Sequence, residues 1–243
     1  MTTNQFQLCV GDYFKEHHLA REYAEKATGL IGWINNHGKV RVLMDEAQEK
    51  VSMDRLKHIV VLAYLVANIT CWTTHSTSFA RLLKVKPALC LAVLTSRTKL
   101  IEAEVGAATG ARAQELEEDA EKWCEVIDDT MFWEVVEQIV GDLEPICFAT
   151  NIGQRDGTRP DTILLSLVGI FIHFANHPLP DVAKAMTKRI EKRWKDCDQP
   201  FFLLALVLNP FEQLSRFGEK AGISRFRWKD MLLEVCQHLA SIF

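Results

Sequence analysis

The chain of 243 residues is 48% hydrophobic and 25% charged, a composition typical of a globular protein with a sizeable core. Its net charge of −4 excludes a general attraction to nucleic acid, so any such binding depends on local patches. Seven cysteines without a C-x-x-C pair argue against a disulfide framework or a zinc site, and favour free thiols in a reducing compartment.

The first residues, MTTNQFQLCVGDYFK, have neither a basic start nor a long apolar core, so they do not resemble a signal peptide. The longest apolar run, from Ile163 to Ala175, contains His173 and is too short to span a bilayer. We therefore expect a soluble intracellular protein with no membrane partner.

In the first half of the chain, apolar residues recur at spacings of three or four, which predicts helices. One stripe runs from residue 19 to 34, and residues 35–38 separate it from a second stripe at 40–47. Asp54 is predicted to cap a third helix that continues to residue 69. Helical pieces at 79–85 and 87–94 follow, with Pro87 in a first turn.

The second half continues this pattern. A glycine turn at 106–110 precedes an acidic helix at 113–129, and Pro145 is predicted to bend the next helix. Residues 151–159 are a loop before an apolar, central helix at 161–175. Further helices are predicted at 181–197, 199–211 and 226–243.

Only FQLCV, residues 6–10, alternates as a strand would. The sequence therefore predicts an all-α fold, a single multi-helix domain of about nine to eleven helices. It contains at most one short N-terminal strand.

The helix predicted at 181–197 has a basic face with Trp194 near its end. A basic face beside an aromatic ring is typical of patches that bind phosphate. A solvated amphipathic helix whose tryptophan packs inward is the alternative. The candidate contacts are Lys184, Lys188, Arg189, Lys192 and Arg193.

The segment NITCWTTHSTSFARLLKVK, residues 68–86, places Trp72 among threonines and serines. One interpretation is a loop whose tryptophan fills the core. The other is an aromatic platform flanked by hydroxyl groups, which suits a nucleic-acid base and its phosphates. The candidate contacts are Trp72, Thr73, Thr74 and His75.

Motifs for catalysis are missing from the sequence. The glutamates and aspartates between residues 115 and 121 are typical of a solvated helix face rather than a metal site. No G-x-G-x-x-G, G-x-x-x-x-G-K or G-x-S-x-G motif occurs, and the histidines form no catalytic set. We expect no catalytic residues, no metal and no cofactor.

Several short motifs occur in an order that resembles the hAT superfamily of DNA transposases. The chain begins with NQFQLCVGDYFK, and WINNH follows at 33–37. Thr70-Cys71-Trp72 stands where the family has an alcohol, an arginine and a tryptophan, before ARLLKVKPAL. IEKRWKDCDQPFFLLALVLNPF is similar to the helix before the family's L-x-P segment.

The resemblance implies a fold and a missing activity. In this family a ribonuclease-H-like core carries three catalytic carboxylates, and a helical domain is inserted before the third. Residues 1–15 would be a remnant of the core edge, and residues 16–243 the helical domain. The carboxylates would lie before Met1 and beyond Phe243, and Cys71 replaces the arginine. We therefore expect no DNA cleavage.

The family's tryptophan stacks on a base near the transposon end, which implies this role for Trp72. The leading hypothesis is a truncated, non-catalytic domain with weak, salt-dependent DNA binding and a nuclear location. The alternative is a cytoplasmic helical module that binds proteins without nucleic acid. Its partner would be a transposase-like protein, or a second copy bound through exposed apolar surface.

Overall fold

The structure, a computed structural model, describes residues 3–53, 61–66, 72–197 and 199–211, with the backbone alone at 3–5, 53, 72 and 73. Within these ranges the chain forms nine helices and no strand, which confirms the predicted all-α fold. They are α1 (Thr3–Glu16), α2 (His18–Asn36), α3 (Gly38–Met53), α4 (Trp72–Val105), α5 (Ala111–Asp128), α6 (Thr130–Gly153), α7 (Pro160–Ala175), α8 (Pro180–Lys195) and α9 (Gln199–Leu208).

The helical domain consists of two compact units. The middle unit is His17–Leu143, and the terminal unit combines Met1–Glu16 with Glu144–Phe243. The chain passes from one unit to the other twice, between Glu16 and His17 and again within α6.

In the middle unit, α4 packs against both α3 and α5. The predicted apolar stripe of α2 is buried from Tyr23 to Ile34, because side chains three and four residues apart share one face of a helix, whereas Leu19 at its start is exposed. The buried residues of α2 are Ala20, Tyr23, Ala27, Leu30, Ile31, Trp33 and Ile34.

In the terminal unit, α7 packs against α8 and α9, and α1 packs against α8. Leu164 of α7 is buried with Phe202 and Leu206 of α9. The amide of Asn209 donates a 2.6 Å hydrogen bond to the buried carboxylate of Asp161, which joins the end of α9 to the start of α7.

The strand considered at FQLCV is wrong, because these residues lie within α1. Phe6, Cys9, Val10 and Tyr13 are all buried, at the spacing of one helix face. The five-residue alternation was too short a window to reveal this longer period.

The helix predicted from Asp54 to residue 69 is also wrong where the structure describes it, since residues 61–66 are not helical. Residues 54–60 and 67–71 lie outside the described residues. Gln48 holds the segment: its Oε1 accepts from the Leu62 amide at 2.8 Å, and its Nε2 donates to the Leu62 carbonyl at 3.1 Å. Asn35 and Ser78 donate to the carbonyls of Tyr64 and Leu65. Distant side chains therefore satisfy backbone groups that a helix would have paired locally.

The two helical pieces predicted around Pro87 form one uninterrupted stretch of α4, with Pro87 in its interior. Farther along the chain, α4 is kinked at Ser96, whose backbone angles are not helical. An interior proline costs about 3 kcal/mol or more. The buried stripe continues across it, and this burial offsets the cost. The buried residues on either side of Pro87 are Leu82, Val85, Ala88, Leu89, Ala92 and Val93.

Candidate nucleic-acid interface

Helix α8 carries the predicted basic face. Pro180 occupies its first turn, where no amide donor is needed, and Asp181 complements the positive end of the helix dipole. Val182, Met186 and Ile190 are buried along one side. The cationic side chains consequently occupy the remaining sides of the helix.

Three lysines form an exposed row on α8. Lys184, Lys188 and Lys192 are four residues apart, so they lie along one side of the helix. Within the part of the chain that the structure describes, none of the three is in an ion pair. They line a cleft of about 560 Å³, whose other lining residues are Glu16, Asp181, Ala185 and Arg189.

The two arginines of the predicted patch contact α1 instead. Arg189 donates to Glu16 Oε1 from Nε at 3.0 Å and from Nη2 at 2.6 Å. These hydrogen bonds raise the pKa of Arg189. Arg193 forms an ion pair with Asp12 in a more buried position. Of the five predicted contacts on α8, the arginines are thus held by carboxylates and the lysines are not.

Arg193 belongs to a partly buried polar cluster with Asp12 and Cys9. Burial raises the pKa of the Cys9 thiol to about 11, and the nearby Arg193 guanidinium opposes this shift. A thiol with so high a pKa is a poor nucleophile at neutral pH. The cluster therefore joins α1 to α8 and offers no reactive group.

The candidates at the start of the 68–86 segment lie in the middle unit, at the beginning of α4. The segment is helical from Trp72 onward, so the loop interpretation is wrong there. The side chains of Trp72 and Thr73 lie outside the described residues. Thr74 and His75 are half-buried, and the His75 ring packs edge-on against Phe79 at 5.9 Å, where burial lowers its pKa. His75 is thus an aromatic packing partner within the unit.

The acidic stretch of α5 forms a network with basic residues. Arg97 of α4 pairs with Glu121 at 2.7 Å and with Asp128 at 2.9 Å, and Arg112 pairs with Glu115. Among the described residues, no group of three histidines, cysteines or carboxylates could hold a metal ion. Glu121 of this stretch and Asp128 therefore link α5 to α4, whereas Glu115 is paired within α5.

A larger cleft, of about 660 Å³, lies between α2, α5 and the start of α6. Its lining includes the rings of Trp123 and Phe132 and two lysines, Lys26 of α2 and Lys122 of α5. Four carboxylates line it, which makes it unfavourable for a phosphate. They belong to Glu22, Glu25, Glu125 and Asp129.

Sequence reasoning missed a buried polar cluster at the corner between α2 and α3. Trp33 Nε1 donates to Glu104 Oε2 at 3.1 Å, and His37 Nδ1 donates to the Trp33 carbonyl at 2.9 Å. Burial raises the pKa of Glu104, while His37 and the Trp33 hydrogen bond oppose this shift. Glu104 lies 71 residues from Trp33, and no local pattern links them.

Among the described residues, no helix is long and apolar enough to cross a membrane.

The chain matches no protein-family model, no curated protein and no solved structure in the three comparisons made.

Proposed function

We propose that this chain is a non-catalytic helical domain of hAT-transposase type that binds DNA weakly through its phosphates. The observation that carries the proposal is the lysine row of α8. Lys184, Lys188 and Lys192 present three exposed charges in one cleft, with no ion-pair partner among the described residues. A nuclear location would follow from this function.

The spacing of the row suits a nucleic-acid backbone. Two intervals of four residues span about 12 Å along a helix axis. Phosphates follow one another every 3.4 Å or so along the axis of one DNA strand, so the row matches about three to four nucleotides. Lysine contacts a phosphate as a point charge and does not distinguish bases, so the binding should be independent of sequence.

The resemblance to hAT transposases supplies the second part of the proposal. It assigns Trp72 as a stacking platform, and the hydroxyl groups of Thr73, Thr74 and Ser76 beside it would donate to phosphate. Stacking acts only on an unpaired base, so this contact would favour single-stranded DNA. Cys71 replaces the family's arginine, which removes a charge-assisted phosphate contact and makes the binding weaker.

The test is a titration of labelled double-stranded DNA at several salt concentrations. Replacing Lys184, Lys188 and Lys192 by alanine should weaken binding and flatten the slope of log K against log salt by about 0.9 for each phosphate that is no longer neutralised. The matched control removes three exposed lysines of the middle unit, Lys39, Lys50 and Lys99. Equal weakening in both triple variants would mean that only net charge matters, and the proposal would fail.

A second candidate function is a protein-interaction module. Val168 and Ile172 of α7 are 42% and 54% exposed, and they share one helix face. Exposed apolar side chains in a row favour protein partners over nucleic acid. Self-association that Ile172→Ser abolishes, in a protein that does not bind DNA at low salt, would favour this module. Light scattering after size-exclusion chromatography measures the association.

A further inference from the structure

In the cleft lined by the three lysines, a carboxylate is bound to an arginine whose guanidinium group could otherwise bind phosphate. We infer that Glu16 competes with the DNA backbone within the protein. Glu16 holds Arg189 and thereby lowers the affinity of the α8 cleft for phosphate. This inference rests on the proposed function of the lysine row. It adds a residue of α1 as the regulator of that site.

The competing contact is one of two ion pairs between α1 and α8 among the described residues. Asp12 and Glu16 are four residues apart on α1, and Arg193 and Arg189 are four residues apart on α8. The lower number on α1 pairs with the higher number on α8, so the two helices run in opposite directions along this contact. Another side of α1 is buried, with Phe6, Cys9, Val10 and Tyr13 in the core.

The two ion pairs between α1 and α8 differ in how exposed their side chains are. The side chains of Arg193 and Asp12 are 14% and 9% exposed, so this pair is closed to a large polyanion. Those of Arg189 and Glu16 are 44% and 27% exposed, so solvent and ligands reach them. The Glu16 pair is therefore the one that a phosphate can displace.

Glu16 binds the part of Arg189 that phosphate would use. Its Oε1 accepts from both Nε and Nη2, the edge through which arginine holds carboxylates and phosphates alike. Glu16 also lines the same cleft as Lys188 and Lys192, so its charge repels any phosphate that binds them. Lys184, Lys188, Arg189 and Lys192 face two carboxylates in this cleft, an excess of two positive charges that removal of Glu16 raises to three.

The experiment compares Glu16→Gln with Glu137→Gln, which removes the same charge from an exposed position of the middle unit. Exposed ion pairs are worth up to about 1 kcal/mol, so Glu16→Gln should tighten binding of a DNA duplex about two- to fivefold at low salt. One more phosphate contact should steepen the salt slope by about 0.9. Adding Arg189→Ala should abolish the steeper slope and reduce the gain in affinity to the part that comes from removing the Glu16 charge.

Each outcome separates the inference from the proposed function. A gain that is specific to Glu16→Gln and becomes smaller with Arg189→Ala supports the competition. Equal affinity of Glu16→Gln and Glu137→Gln overturns it, even where removal of the lysine row weakens binding. If the lysine variants bind as the wild type does, the proposed function fails too, and if no variant binds DNA, both fail. Circular dichroism of each variant, with Glu16→Ala as a second replacement, confirms that α1 remains folded.

Discussion

Glu104 Oε1 lies 3.1 Å from Nε2 of His37, although the side chain of Glu104 is only 1% exposed. The contact has ion-pair distance without the alignment of a hydrogen bond, since this oxygen has no hydrogen-bond donor. The His37 Nδ1–H bonds to the Trp33 carbonyl, so the ring cannot rotate toward Glu104 without breaking that bond. The C-terminal end of α4 is thereby joined to the corner between α2 and α3.

This contact predicts a pH-dependent stability. Burial raises the pKa of Glu104 above its ordinary value of 4.5, so folding favours the protonated carboxyl. The contribution to the free energy of unfolding is fully present below pH 4.5 and is lost as pH rises through the raised pKa. Glutamine mimics the protonated form at every pH, so Glu104→Gln should gain stability relative to the wild type across this window.

Urea denaturation of both proteins between about pH 4 and pH 8 measures the difference. Groups other than Glu104 titrate in both proteins, so the difference isolates this carboxyl. A constant difference over the whole range would contradict the raised pKa. A larger advantage for the wild type at high pH would mean that this site favours the ionised carboxylate over the amide.

A second prediction concerns two glycines of α2. A Cβ on Gly29 would lie 2.5 Å from Cη2 of Trp123, whereas a Cβ on Gly32 would meet nothing within 4 Å. Gly29→Ala should therefore destabilise the protein by about 1–3 kcal/mol through overpacking. Gly32→Ala should stabilise it by about 0.5–1 kcal/mol, because alanine is the better helix former. Thermal unfolding compares them, and equal effects would show that Trp123 moves aside without cost.

A third prediction concerns the α1 helix that replaced the expected strand. Phe6 is 1% exposed and Leu8 is 45% exposed, although they are close together in the chain. Phe6→Ala should cost about 3–5 kcal/mol, because it leaves a cavity in the core. Leu8→Ala should change the free energy of unfolding by less than about 0.5 kcal/mol. Urea denaturation measures both variants, and similar costs at the two positions would instead fit a strand, in which residues two apart share one face.

The sequence predicted the helices well because their signals are local. The stripe of α2 and the basic face of α8 both depend on residues three and four apart. Residues 61–66 carry an apolar pattern too, but the amide of Gln48 determines their conformation. A contact between residues so far apart in the chain has no periodic signature.

The candidate site was predicted in part for the same reason. The lysine row follows from its spacing, so Lys184, Lys188 and Lys192 could be found without a structure. The pairing of Arg189 with Glu16 spans 173 residues, and nothing near either residue indicates it. Sequence reasoning therefore counted Arg189 as an available cation when a carboxylate already binds it.

The last prediction separates stacking from charge in the proposed DNA binding. Trp72 begins α4, and the hAT resemblance assigns it to an unpaired base. Trp72→Ala should weaken single-stranded binding by about 1–3 kcal/mol, the value of one stacked base, and leave the salt slope unchanged. Lys188→Ala should instead flatten the slope, by about 0.9 for double-stranded and about 0.7 for single-stranded DNA, because it removes a phosphate contact. If Trp72→Ala lowers the melting temperature sharply while binding per folded molecule is unchanged, the tryptophan contributes to packing and the stacking hypothesis is wrong.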